Sequence, residues 1–164
     1  MKNILKRKNL RIPEYNYSKE GLYFITICTK NRKCVLSKIH IDEEKNTRIV
    51  NLLPYGKITE NNLMKTNKIY NELQIHNYII MPNHIHFIVE IVEGNSKNNN
   101  PTKLRLPFFI SSLKRIINKE CNEKIWQRNY YEHIIRNEKE YLEITEYIEK
   151  NPYKWEKDMY YIKN

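Results

Sequence analysis

The spacing of apolar and polar residues along the chain predicts alternating short strands and amphipathic helices. Residues 22–29 (LYFITICT) form a run of β-branched and aromatic residues that predicts a strand; residues 47–53 predict another, closed by Pro54. Across residues 60–73, Leu63, Met64, Asn67, Ile69, Tyr70 and Leu73 follow helical spacing. Residues 75–81 and 84–92 predict two strands on either side of Pro82-Asn83, a natural turn pair. Phe109, Ile110, Leu113, Ile116 and Ile117 mark a helix over residues 107–119, and residues 130–135 suit a short strand. Asn137, with Glu140 three positions on, signals the start of a helix over residues 138–150. Pro152 disfavours helical geometry at Asn151 and predicts the end of that helix there.

Strand, strand, helix, strand, strand, helix, short strand, helix is the signature of an α+β domain. The expected architecture is an antiparallel sheet with helices packed on one face. The length of 164 residues suits a single domain spanning 1–164. Residues 1–18 read as a basic arm, and 93–103 (EGNSKNNNPTK) as a flexible loop.

Charge narrows the partners. With 29 Lys plus Arg against 19 Asp plus Glu, the chain carries +10, which favours a polyanion such as nucleic acid. The chain is also rich in Lys, Asn and Ile, so part of that excess reflects composition. Cys28, Cys34 and Cys121 form no C-x-x-C pair and leave one thiol over, which excludes a disulfide framework or zinc ribbon and suits a reducing cytoplasm. The first residues, MKNILKRKNLRIPEY, lack the apolar stretch of a signal peptide, and no run reaches the ~20 apolar residues of a membrane span. The expectation is a soluble cytoplasmic protein.

The segment MPNHIHFIVEIV carries the most chemical information. On a strand, Ile85, Phe87, Val89 and Ile91 share an apolar face, while His84 and His86 point the other way with Cα atoms about 6.5 Å apart. Two imidazoles at that spacing can converge on one metal ion, or they can be two surface histidines on the wet side of a sheet. On the last helix, Tyr141, Ile144 and Ile148 make the core-facing stripe, with Leu142 and Thr145 beside it. Tyr147 and Asn151, four apart, then share its flank, which could overlook the histidine face. A phenol is both an accessible nucleophile and a good leaving group, since its pKa near 10 lies far below the ~15.7 of water. A tyrosine on a helix can equally be packing, and Asn151 before Pro152 can equally be a helix cap.

Three segments bear a resemblance that these spacings alone do not carry. RIPEYNYSKEGLYFITICTKNR, YIIMPNHIHFIVEI and IWQRNYYEHIIRNEKEYLEITEYIEKNPYKW occur in the order found in single-tyrosine HUH transposases of insertion sequences. They resemble most the REP-associated tyrosine transposase branch, and they cover nearly the whole chain. The resemblance implies a ferredoxin-like α+β sandwich, the HUH endonuclease fold. It implies His84 and His86 as paired ligands of a divalent ion, Mg²⁺ or Mn²⁺, and Tyr147 as a nucleophile that forms a 5′-phosphotyrosine link and frees a 3′-hydroxyl. Asn151 takes the third-ligand position, where insertion-sequence relatives usually carry Gln. The implied partner is single-stranded or hairpin DNA. Insertion-sequence relatives can complete the site across a homodimer, while the REP-associated branch includes monomers.

The stretch IWQRNYYEHIIR mixes planar and cationic side chains, a composition suited to unpaired bases and phosphates. Trp126, Arg128, Tyr130 and Arg136 are its DNA-binding candidates, although Trp126 and Tyr131 equally suit a core. In the arm, Lys6, Arg7, Lys8 and Arg11 are candidates for backbone contacts. His133 reads as structural, and Asp42-Glu43-Glu44 as a solvated turn. The expected activity is metal-assisted nicking and strand transfer on single-stranded DNA. A binding protein that has lost cleavage and a hydrolase without a covalent intermediate are the competing readings.

Overall fold

A computed structural model describes residues 20–92 and 105–161. The predicted basic arm, with Arg11, and the predicted loop over 93–103 lie outside the described residues. In chain order the elements are β1 (Gly21–Cys28), β2 (Ser37–Asp42), β3 (Thr47–Leu52), α1 (Pro54–Ile69), β4 (Leu73–Ile80), β5 (His84–Ile91), α2 (Arg105–Glu120), β6 (Tyr131–Ile135) and α3 (Glu138–Lys150). A 3₁₀ segment, Asn151–Lys157, continues from α3.

Four strands form one antiparallel sheet in the order β4-β5-β1-β6, and β2 pairs with β3 in a separate hairpin. Setting that hairpin and α3 aside, the order β1-α1-β4-β5-α2-β6 with this strand arrangement is the ferredoxin-like sandwich, so the α+β class and the antiparallel sheet agree with the sequence.

Helix placement corrects one detail. All helices were expected on one face, and this holds only for α1 and α2. The pleat sends Tyr23, Ile25 and Ile27 of β1 and Ile85, Phe87, Val89 and Ile91 of β5 to one side. There they pack with Leu63 of α1 and Leu106, Phe109, Ile110, Leu113 and Ile117 of α2. The opposite side exposes Phe24, Ile88 and Ile135, an apolar strip that needs its own cover. Tyr141, Ile144 and Ile148 of α3 supply it.

Other boundaries moved for local reasons. The first long helix starts at Pro54, where a missing N–H costs nothing at a helix N-terminus; Pro54 begins α1 as well as ending the strand before it. Gly56 lets that helix approach the chain closely, because a Cβ there would lie 2.0 Å from the Leu36 carbonyl oxygen. Leu73, expected in the helix, begins β4 instead. Asn67 marks the change, its side chain accepting from Ile75 N at 2.6 Å and donating to Ile75 O at 3.0 Å. Strand β2 was not expected, since SKIHID carries only two apolar residues and gains its form by pairing with β3. Asp42 closes that hairpin by accepting from Lys45 N, so the acidic run is a turn.

Candidate active site

Strand β5 carries the histidine pair, and α3 lies across it. Neither imidazole is on a wet face: His84 and His86 are 0% and 1% exposed, beneath α3 and the 3₁₀ segment. Their ring centroids are 4.5 Å apart. Burial, the main cause in both, holds the pKa of His84 down near 2 and that of His86 near 3, so both rings are neutral around pH 7.

The hydrogen bonds behind the pair determine which nitrogen faces the site. Asn83 Nδ2 donates to the carbonyls of Tyr160 at 2.7 Å and Arg32 at 3.2 Å. Its Oδ1 is thereby left as an acceptor, and His84 Nδ1–H donates to it at 2.9 Å. Nε2 of His84 must then carry the lone pair, and it is buried with no hydrogen-bond partner. Behind His86, Thr26 Oγ1 lies 2.7 Å from Nδ1, which again turns Nε2 toward the site. Support of Nδ1 so that Nε2 can ligate is the usual arrangement around metal-binding histidines.

Tyr147 comes from the last turn of α3. Its Oη is 3.4 Å from His86 Nε2, within a single chain. Phe24 backs both groups, stacked on His86 with centroids 5.2 Å apart and edge-on to Tyr147 at 6.0 Å. The phenol is 39% exposed, so one side remains open to an incoming group. Burial and the Asp158 carboxylate raise its pKa above the ordinary value, and a hydrogen bond with Asn151 opposes them.

Asn151 is buried, and its Oδ1 has no hydrogen-bond partner. Its backbone is helical, φ −58° and ψ −42°, in spite of Pro152. Regular α-helix does end at Lys150, but the chain tightens into 3₁₀ form instead of leaving the helical path. That continuation carries Trp155 and Tyr160 over His84, with ring centroids at 6.0 and 4.7 Å.

A carboxylate not anticipated from the sequence joins them. Donor atoms of His84, His86 and Asp158 all lie within 4.8 Å of one another. Two neutral imidazole nitrogens and a carboxylate converge as a mixed nitrogen–oxygen set whose chemistry fits a divalent cation, and the unpartnered Asn151 oxygen is a further donor of the same kind. Asn83, Phe24 and Asp158 were all missed as site residues. Only Asn83, directly before His84, had a local signal, and it had been read as turn chemistry alone.

The DNA-binding candidates separate. Trp126 is 6% exposed and belongs to the main core, so its ring is not a surface for stacking bases. Tyr130 is half-buried beneath the Lys114 ammonium. Tyr131, for which stacking and core were equally open, is 41% exposed and pairs with Thr26, the cross-strand neighbour of His86; it is an open aromatic on the histidine face. Arg128 is exposed and lines a groove of about 1160 Å³ between α2 and the 122–129 segment, with Lys30, Arg115, Lys119 and Lys124. Lys114 underpins the groove, donating to the carbonyls of Gln127, Arg128 and Asn129. Arg136 is exposed at the other end of the sheet: Ile135 pairs with Leu22 whereas His84 pairs with Cys28, six residues or roughly 20 Å along β1. His133 bonds Glu140 at 2.6 Å and has a structural place in the α3 N-terminus. All three cysteines are free. Among the described residues, no helix is long and apolar enough to cross a membrane.

No protein-family model matches the chain. An uncharacterized protein of Haemophilus influenzae is 39% identical over 175 residues, covering 95% of this chain and 93% of its own length. The REP-associated tyrosine transposase of Escherichia coli K12 is 25% identical over 139 residues, covering 84% of this chain and 70% of the relative. Among solved structures, a REP-associated tyrosine transposase bound to a REP hairpin superposes with a TM-score of 0.58 at 20% identity, over 88% of this chain and 73% of the other. The likeness to relatives named REP-associated tyrosine transposase, at 25% and 27% identity, covers more than four-fifths of this chain, and a protein of that name shares its fold.

Proposed function

We propose that this protein nicks and rejoins single-stranded DNA at a hairpin, using Tyr147 as nucleophile. The observation that carries this reading is the 3.4 Å approach of Tyr147 Oη to His86 Nε2 within one chain. His84, His86 and Asn151 would hold a divalent ion, Mg²⁺ or Mn²⁺, which would supply neutralisation of charge on the scissile phosphate.

Tyr147 Oη attacks phosphorus, the bond to the 3′-oxygen breaks, and the chain becomes linked through a 5′-phosphotyrosine. The phenol releases its proton as the departing 3′-oxygen takes one up, so the step is balanced. The reverse attack by a 3′-hydroxyl rejoins the strand. Phe24 holds the phenol and His86 in fixed relation, so little orientational freedom is lost in reaching the reactive geometry.

Partner DNA follows the cationic groove. Arg128, with Lys30 and Arg115, contacts phosphates, and Tyr131 offers its ring to a base beside the cleaved position. Trp126 and Tyr130 shape the segment from beneath. Arg136 touches backbone further along the hairpin and is remote from the cleaved phosphate.

The test is covalent capture. Labelled hairpin oligonucleotides incubated with the protein and Mn²⁺ are expected to give a denaturation-resistant adduct, lost by at least about 10³-fold in Tyr147→Phe with hairpin binding retained. An adduct formed equally well by Tyr147→Phe would overturn the assignment. Hairpin binding without an adduct under any metal condition would favour the binding-only reading.

A further inference from the structure

The carboxylate of Asp158 sits beside the histidine pair without an ionic partner. Among the described residues Asp158 makes no salt bridge, although it is partly buried in a chain of net charge +10. One of its oxygens, Oδ1, accepts from Tyr160 N at 2.7 Å. Its donor atom lies within 4.8 Å of those of His84 and His86. His84 Nε2 nearby is buried and unpartnered. Converging lone pairs and a negative charge repel one another unless a cation lies among them.

The position is built and not incidental. Asp158 follows the 3₁₀ segment with extended backbone, φ −70° and ψ 141°, which turns the chain back toward β5. Tyr160, whose N–H orients the carboxylate, uses its own carbonyl to hold Asn83, and Asn83 holds His84. The carboxylate and the imidazole are therefore two ends of one hydrogen-bonded unit. Arg32 closes it from outside, donating to Met159 O at 3.1 Å with its guanidinium over the Tyr160 ring.

We propose that Asp158 is an additional, anionic ligand of the divalent ion, supplied by the segment that follows the tyrosine helix. Asn151 opens the 3₁₀ segment and Asp158 follows it, so an ion held by both ties that segment to β5 and holds the end of α3, and with it Tyr147, against the histidines. This rests on the reading that His84 and His86 bind a metal.

The test uses the full chain and MnCl₂ alone, by calorimetric titration and thermal melting, with no DNA. Asp158→Asn keeps the Oδ1 acceptor for Tyr160 N and removes only the charge. Its melting temperature without metal is expected to match wild type, while its Mn²⁺ affinity falls by at least about tenfold, as ligand charge sets affinity at oxygen-rich sites. The Mn²⁺-induced rise in melting temperature shrinks accordingly. Should Asp158→Asn itself melt early, Asp158→Glu provides the second measurement: with the charge restored on a longer arm, its Mn²⁺ affinity is expected to lie between wild type and Asp158→Asn. Glu143→Gln, on the exposed side of α3, is expected to change nothing. Mn²⁺ affinity in Asp158→Asn within twofold of wild type, with binding still lost in His84→Ala/His86→Ala, would overturn the role of Asp158 alone. Absence of Mn²⁺ binding by wild type, or binding indifferent to both histidines, would overturn the metal reading with it.

Discussion

Around the histidine pair, strand β5 presents two faces that are equally dry and chemically opposite. Toward α1 and α2 it buries Ile85, Phe87, Val89 and Ile91, none more than 1% exposed. Toward α3 it buries His84 and His86 just as deeply, yet His84 Nε2, like the buried Asn151 oxygen, has no hydrogen-bond partner among the described residues. Burying an apolar group stabilises the fold, whereas burying an unpaired polar atom costs about 1–3 kcal/mol. Burial alone therefore does not reveal function. Burial against the energetic gradient does, because such an arrangement persists where a ligand later satisfies it.

Substitutions can break that contrast, and the largest expected effect separates activity from stability. Thr26→Val with His86→Leu replaces both partners of a buried hydrogen bond by apolar groups of similar shape. Stability measured by urea unfolding is expected to change by no more than about 1 kcal/mol, while adduct formation falls by at least about 10³-fold. A loss of several kcal/mol would mean that the histidine face is structural after all.

Phe87→Ala, on the neighbouring position of the same strand, is expected to do the reverse. It should cost about 3–5 kcal/mol in unfolding free energy through the cavity it leaves. The fraction that stays folded at low temperature should still bind Mn²⁺ normally.

Asn83→Ala probes the support behind the histidines. It frees the tautomer and orientation of His84, and a loss of about 10–100-fold in Mn²⁺ affinity is expected from titration. Unchanged affinity would leave Asn83 as a turn residue only.

Acid gives the smallest effect per step. Both histidines have folded pKa values far below the ordinary one, so the unfolded chain takes up protons first as pH falls. Their contribution is fully present above about pH 6.5 and is lost progressively below it, toward the folded values near 3 and 2. In metal-free protein the expected slope is about 1.4 kcal/mol per pH unit for each histidine. Thr26→Val/His86→Leu should remove one histidine's share, which unfolding curves between pH 7 and 5 would detect.

Much of the frame was legible because it depends on periodicity. Helix α3 has the predicted limits, and β5 ends one residue short of its predicted span, since the capping residue Asn137 and the alternation after His84 act locally. The start of α1 was not legible, because Pro54 both closes a strand and opens a helix, and only packing decides which. Composition also left two aromatics open: it could not tell that Trp126 turns into the core while Tyr131, on the edge strand β6, stays open beside the histidines.

By itself the sequence determined every strand but β2, the last helix and the placing of two imidazoles on one face of β5, all of which follow from the 2.0 and 3.6 periods of the backbone. Tertiary structure alone decided that α3 crosses the histidine face, that Asn83 sets a tautomer through Tyr160, and that Asp158 joins a site 72 to 74 residues away along the chain. Those relations pass through the turn after Asn151 and through strand order, and no spacing along the chain encodes a distance closed by folding.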